Sequence, residues 1–334
     1  MYSTIGIRSR ILTFASILVL FLALAGQAVA LDFRFFPLLR SAAIPDTAAA
    51  EFMEEERISE VLDQDVSYRQ LFSTISNPDI PLNRYVAPGE ELKYQAKWRG
   101  LPAGNIRISA KRMGVIRGRQ VFIFELNAES NDFLNAFYPV STTANSYVDA
   151  ANGRSYLIRR RIAERNRNYK DRLEFKYDSH RPDGLPDPVL KYSMVDQEGQ
   201  EVTGRAVPIP GNMQDLVSAI YYIRGSNLRK AGDCFTFLVG GRQQPGIMAV
   251  NVIGEERVTL QGIGSFDCLV IEPFGDGTNI SGNLVASRGS ERIWLEKHTR
   301  VPVKFEAELP APLGVIVATL VSAENSPLLR FSAR

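Results

Sequence analysis

Catalysis needs side chains that exchange protons, hold a metal or attack an electrophile, and this 334-residue chain is poor in all three. It has two histidines. His180 falls in a Pro/Gly loop and His298 between two expected strands. Neither has a second His or a carboxylate at the spacing of a zinc helix or a facial triad, so both read as surface histidines. His298 would serve a Ser-His-Asp triad only beside an activated serine, and no GxSxG elbow exists. Gly262-Ile263-Gly264-Ser265 reads as a hairpin turn. Gly240-Gly241-Arg242 and Gly275-Asp276-Gly277 lack the helix and Lys-Ser/Thr that follow a phosphate loop. Asp276 and Asn279 lack the ligand spacing of a calcium loop. A carboxylate pair would suit glycoside hydrolysis, but nothing in the sequence pairs Glu90, Glu125, Asp149 and Asp215. No catalytic residue, cofactor or metal is therefore expected.

Binding candidates are better defined. Arg159, Arg160 and Arg161 are followed by Arg165, Arg167, Lys170 and Arg172, with Glu164, Asp171 and Glu174 interleaved. Such a cluster suits an anionic ligand, a lipid head group or a cell-wall polymer. The competing expectation is the solvated face of a long hairpin guarded by charge. It is preferred because the interleaved acids dilute the field. Trp98 and Trp294 could form sugar or acyl platforms, yet both sit at alternating strand positions that favour core packing. Cys234 and Cys268 can form a disulfide in an oxidising compartment or stay as buried free thiols. Neither belongs to a CxxC, which argues against redox catalysis and a thiolate zinc site.

The elements that would position these residues are mostly strands. From Tyr85 the hydrophobic period is two. Leu92, Tyr94, Ala96 and Trp98 alternate with Glu91, Lys93, Gln95 and Lys97, and Ile106, Ile108 and Ala110 repeat the pattern. About a dozen such segments follow, with turn signals every 8–12 residues. One convincing helix interrupts them. Asn212 is placed to cap it, with Asp215 near its positive end. Met213, Leu216, Val217, Ile220 and Tyr221 form an apolar stripe, and Gly225 stops it. A lone amphipathic helix must bury its face on a curved sheet. The fold expected is mainly β: a curved antiparallel sheet, or a partly open barrel or β-roll, around one packed helix from Asn212 to Arg224.

The first 30 residues stand apart. Arg8 and Arg10 precede an apolar run from Ile11 to Ala25 and then Ala28-Val29-Ala30, the layout of a cleaved signal peptide; an uncleaved membrane anchor is the alternative. Their removal leaves 37 basic against 37 acidic residues. No global basic field for nucleic acid then remains. Residues 31–83 read as an N-terminal arm or linker, partly helical between Ala48 and Phe72, and residues 84–325 as the β domain.

Taken in order, Gly89-Glu90, Leu92, Tyr94, Trp98, Gly100 and Ala103-Gly104, then Asp215 to Ala219 with Tyr221 to Arg224, then Ile293-Trp294-Leu295 and Arg300 to Val303, resemble the bacterial envelope family of domain of unknown function 3108. The resemblance spans roughly residues 84–322. It implies a secreted, β-rich domain with one internal helix and no established activity. The resulting expectation is a non-enzymatic periplasmic binding or envelope-assembly factor for an apolar or amphiphilic ligand. The alternatives are a structural module that docks a membrane-associated protein and, further off, a cell-wall hydrolase. Whether the helix plugs a closed core or walls a pocket separates the first two.

Overall fold

A computed structural model describes residues 77–136, 138–164, 167–177, 189–196, 198–203, 207–209, 211–240, 245–275, 291–308 and 314–330. The segment read as a signal peptide and most of the arm lie outside these residues.

The period-two segments form an antiparallel sheet of 15 strands among the described residues. The first run is β1 (Glu91–Trp98), β2 (Leu101–Ile116), β3 (Arg119–Ser130), a one-turn helix α1 (Asp132–Asn135), β4 (Val140–Asp149), β5 (Ser155–Glu164), β6 (Arg167–Lys176), β7 (Val189–Val195), β8 (Glu201–Thr203) and β9 (Val207–Pro208). Helix α2 (Leu216–Arg224) follows, and then β10 (Cys234–Gly240), β11 (Pro245–Leu260), β12 (Gly264–Gly275), β13 (Glu291–Glu296), β14 (Pro302–Glu308) and β15 (Val315–Glu324). Sequential neighbours pair as hairpins. The one long-range pairing is β15 on β1, which joins the two runs into the order β10 to β15 and then β1 to β8, with β9 also on β7. The expected curved, unclosed antiparallel sheet with one packed internal helix is what the chain forms.

The sheet curls but its ends, β7 to β9 on one side and β10 on the other, do not pair as strands. Gly240 at the end of β10 lies against Phe175 of β6, so closely that an added methyl would sit 2.6 Å from the ring. The segment before α2 bridges the rest of the seam. Ser155 N–H donates to Met213 O, Gln214 N–H to Leu238 O, and Gly240 N–H to Gln214 O. Asn77 adds two contacts, accepting from Leu238 N–H at 2.8 Å and donating to Asn212 O at 2.6 Å. An open edge is an aggregation hazard, and these bonds occupy part of it.

That bridging corrects the expected helix start. Asn212 does not cap α2; Asp215 does, accepting from Val217 and Ser218 N–H while the Ser218 hydroxyl accepts from Asp215 N–H. Met213 and Gln214 cannot be helical because their backbone groups are committed to β5 and β10. The stripe is corrected too. Eight of the nine helical residues are buried and only Ile220 is partly exposed, so α2 is an interior helix rather than a surface amphipathic one. Gly225 does end it, but with φ −85°. Its glycine is required by packing, since a Cβ would meet Ile80 Cγ2 at 2.2 Å.

The helix crosses the strands. Its N-terminus meets Ser146 of β4 and Ser155 of β5, Tyr221 stacks on Phe124 of β3 at 3.7 Å, and its C-terminus reaches Glu90 at the start of β1. Ser146, Phe124 and Ala110 are cross-strand partners in one row, and Ala110 N–H donates to Glu90 O. The segment at 77–86 straps the outer side. Pro78 O accepts from the Tyr222 hydroxyl at 2.6 Å, and Tyr85 O from Arg224 Nη2 at 2.9 Å.

Arg224 and Glu90 are fully buried and paired through both oxygens, and Ser326 also donates to Glu90. Removing one member of such a pair leaves an uncompensated charge in the core. Arg224→Met is expected to lower unfolding free energy by about 3–5 kcal/mol, and the double change Glu90→Leu/Arg224→Met to recover most of it. Urea unfolding of the three proteins checks both.

Candidate functional site

Three places bring together side chains capable of binding: the two ends of α2, the interior beneath it, and the outer face of β5 and β6. At the N-terminus of α2 the Asp215 carboxylate takes four donors. Ser146 Oγ and Ser155 Oγ approach at 2.6 and 2.5 Å, Val217 N–H and Ser218 N–H at 2.9 and 3.0 Å. Burial pushes its pKa up, and the two serine hydroxyls and the helix amides pull it back only in part. Every oxygen is engaged in holding the helix, so Asp215 is an anchor and not a base. At the other end the Tyr221 hydroxyl and Arg224 Nε have no partner, and the Arg224 guanidinium lies 5.3 Å from the Tyr221 ring centre. Leu216 is buried with the rest of the helix.

The acids considered for hydrolysis are likewise committed. Glu90 pairs with Arg224. Asp149 accepts from Ala151 N–H, Asn152 N–H and the Tyr156 hydroxyl in the β4–β5 turn. Glu125 is outward-facing; burial raises its pKa, but hydrogen bonds from Lys111 and Asn127 and the charges of Lys111 and Arg107 win, and it falls below the ordinary value. His298 is exposed in the β13–β14 turn, where Glu296 accepts its N–H and that of Thr299. His180, Asp276, Asn279, Gly241 and Arg242 lie outside the described residues. Among the described residues no group of three His, Cys, Asp or Glu is placed to hold a metal. Trp98 packs against the core. Trp294 is buried and donates to Glu256 at 2.7 Å, with Lys304 Nζ 3.8 Å from its ring centre.

The disulfide is not formed: Cys234 is exposed and Cys268 buried, both free. The register explains it. Cys234 faces Asn251 on β11, which faces Glu272 on β12, and Cys268 lies four residues further along. Two strand spacings sideways and about 13 Å lengthwise separate the pair, well beyond the roughly 7 Å Cα limit of a disulfide. Burial, then the nearby Glu296, Asp267 and Glu256, push the Cys268 thiol up to about 12. A thiol-reactive dye at neutral pH is expected to label one cysteine quickly and the second only after unfolding, with no change on reduction.

The arginine cluster divides by face. Cross-strand pairs place Arg160 opposite Asp171, and both side chains point inward, joined at 2.6 and 2.5 Å and buried. Glu164 is inward and buried as well. Arg159 and Arg161 point outward with Lys170 and Arg172, all four exposed. Arg160 therefore leaves the proposed patch, Lys170 and Arg172 complete it, Arg165 lies outside the described residues, and Arg167 contributes its backbone to β6. The alternation Ile158, Arg160, Ile162 carried this division in the sequence.

Two further groups were not singled out by the sequence. Glu291 at the start of β13 faces Ala307, within the roll. Its pKa stands well above the carboxylate range, and burial is the sole cause. Thr142 on β4 is also buried, an inward hydroxyl with no partner. Neither carried a spacing signal, because an isolated Glu or Thr in a strand looks like any solvent-facing residue.

The match to known proteins follows this architecture. Residues 93–321 match the family described as "Protein of unknown function (DUF3108)". The chain belongs to that family. The DUF3108 match takes in β1 from Lys93 onward and runs into β15, so it contains α2 and the β5–β6 array. No curated protein matches the sequence. Among solved structures, the chain is similar to a beta-barrel-like protein of domain of unknown function DUF1849 from Brucella abortus, at 8% identity and TM-score 0.42, over 72% of this chain and 98% of the other. It is also similar to the hypothetical lipoprotein YmcC from Escherichia coli, at 12% identity and TM-score 0.24, over 82% and 98% of the two chains.

A carboxyl with a higher pKa in the folded than in the unfolded chain takes up a proton on folding. Stability then falls as pH rises from the ordinary carboxylate range through the raised value. Glu291→Gln, which cannot ionise, is expected to be more stable than the natural protein at pH 7. The gap should close as pH falls towards 4, when unfolding free energies are compared across that range.

Proposed function

We propose that this protein is a non-enzymatic module of the cell envelope, a binding or assembly factor acting through its outer surface and the segment that precedes Asn77. The observation that carries this reading is the fixed helix. A movable pocket wall would have to break the Asp215 cluster, the Tyr221–Phe124 stack and the buried Arg224–Glu90 pair together. A plug held at both ends suits a scaffold better than a carrier that opens for each cargo. The strap supports the second half of the proposal. The chain enters the described structure at Asn77, bonded to Leu238 and Asn212, so whatever binds residues 31–76 pulls directly on the seam. The envelope address rests on the apolar run from Ile11 to Ala25 behind Arg8 and Arg10.

A carrier is the second reading, favoured by the buried Glu291 carboxyl and the unpartnered Thr142 hydroxyl inside the roll. Buried polar groups without partners oppose stability and mark places where a ligand's polar end would be received. One experiment separates the two. Solvent extraction of the purified full chain followed by mass spectrometry is expected to yield no stoichiometric lipid. In-cell crosslinking is expected to yield protein adducts that disappear when residues 31–76 are deleted. Stoichiometric lipid, or adducts indifferent to the deletion, would overturn the scaffold reading.

A further inference from the structure

The outer face of β5 and β6 carries an arrangement that the folded state itself disfavours. In the register of this hairpin Arg159 stands directly opposite Arg172, and Arg161 directly opposite Lys170. Directly opposed residues of an antiparallel pair have Cβ atoms about 5 Å apart, and like charges there destabilise the sheet. The two pairs are also adjacent, two residues apart along each strand, so four cations occupy a patch about 7 Å by 5 Å at the Cβ level. All four are exposed.

Two of the three acids that dilute this cluster in the sequence do not dilute it in space. Asp171 neutralises Arg160 in the interior, and Glu164 is interior too. Glu174 is the one outward acid on the hairpin among the described residues. It is shared by Arg172 at 3.2 Å, Arg117 at 3.5 Å and Lys176 at 4.0 Å, and it stands opposite Lys191 on β7. On the flanking strands the patch is bordered by Thr143 and Asn145 of β4 and by Ser193 and Val195 of β7, all uncharged. Beyond these, Glu125 is already held by Lys111 and Arg107, and Glu201 lies two strands from Lys170. Tyr147 of β4 lies beneath Arg159, its ring centre 6.0 Å from the guanidinium carbon.

We propose that this array docks the protein on the phosphate head groups of an anionic lipid bilayer. The complementarity is of charge and shape: a broad sheet face with four closely spaced cations, of which only Arg172 has an ion pair among the described residues, meets a surface of closely spaced phosphates. Arg forms paired hydrogen bonds to phosphate oxygens, and Tyr147 offers the amphipathic ring that suits a membrane interface. On β1 and β2, Lys93, Arg107 and Lys111 are each beside Glu91, Glu125 or Glu324. A bilayer is preferred to a soluble polyanion because the cations spread over an open sheet face with the Tyr147 ring among them, and because the signal-peptide layout of residues 1–30 addresses the chain to the envelope, where an anionic bilayer is the neighbouring surface.

The test is vesicle co-sedimentation of the full chain at physiological salt, with phosphatidylcholine alone and with phosphatidylcholine–phosphatidylglycerol mixtures. The readout is the gain on anionic over neutral vesicles, because the apolar N-terminal run is common to every variant. Arg159→Gln, Arg161→Gln, Lys170→Gln and Arg172→Gln combined are expected to reduce that gain by about fivefold per charge, more than a hundredfold in all. The melting temperature should not fall, since repulsion is being removed. The charge-keeping set Arg159→Lys, Arg161→Lys and Arg172→Lys should retain most of the gain. So should a control with the same charge loss at Lys93, Lys97, Arg107 and Lys111. No anionic gain in the natural protein, an unchanged gain in the glutamine variant, or an equal loss in the control would overturn the proposal. So would binding to a soluble anionic polysaccharide without a vesicle gain.

Discussion

A sheet that curls without closing must do something with its last two edges, and the seam between β7 and β10 organises the rest of this fold. Ladder hydrogen bonds tie every other neighbour together. At the seam they are replaced by a few backbone bonds from Met213 and Gln214, the Asn77 side chain, and the contact of Gly240 with Phe175. Those bonds require residues 213–214 to be extended. The helix can therefore begin only after them, and its cap must be Asp215. Its direction follows as well: starting from β5 at the seam, it is drawn along the row from Ser146 to Glu90. The strap at 77–86 then covers what the helix leaves open. A side chain on Gly225 or Gly240 would strike Ile80 or Phe175, so the two glycines mark where backbone and side chain approach closely enough to seal the roll.

Much of this was readable in the sequence, and the parts that were not share a cause. The strands declare themselves because one face of the sheet is buried and the other is wet, so the period of two survives in β1, β2 and β5. The existence of the helix and its C-terminal stop are equally local facts. Its start is not. Met213 fits a helical stripe by spacing, and only its hydrogen bond to Ser155, 58 positions earlier, removes it. Burial on all sides of α2 is also non-local: Ser218 and Ala219 look like a polar and a neutral face until the opposite wall of the roll is known. The disulfide failed for the same reason, since the expected oxidising compartment would favour it and only the two-strand separation forbids it.

The arginine cluster is the instructive exception, because its correct reading was local and available. Ile158, Arg160 and Ile162 share one face of a strand, and Arg159 and Arg161 the other. The pairing of Glu164 with Arg167 fixes the partner of each residue on β6. Averaging the charges of residues 159–174 hides this, as the acids and bases occupy opposite sides of the same hairpin. Charge composition along a strand is therefore a poor measure of its field unless residues are first sorted by parity.

Sorting by side also separates two uses of charge in one molecule. Inside the roll, Arg160–Asp171 and Arg224–Glu90 are paired through both carboxylate oxygens, which is the condition under which buried ions are tolerated. Outside, on β5 and β6, cations face cations where water could screen them but where any sheet would be steadier with alternating signs. A chain that pairs Arg160 and Arg224 with buried acids has not run short of acids; it has 37 of them. It places Arg159, Arg161 and Lys170 with no ion pair among the described residues, and Arg172 with only a shared Glu174, where the facing positions on β4 and β7 are uncharged. Stability does not account for that placement, and the proposed recognition of an anionic surface would.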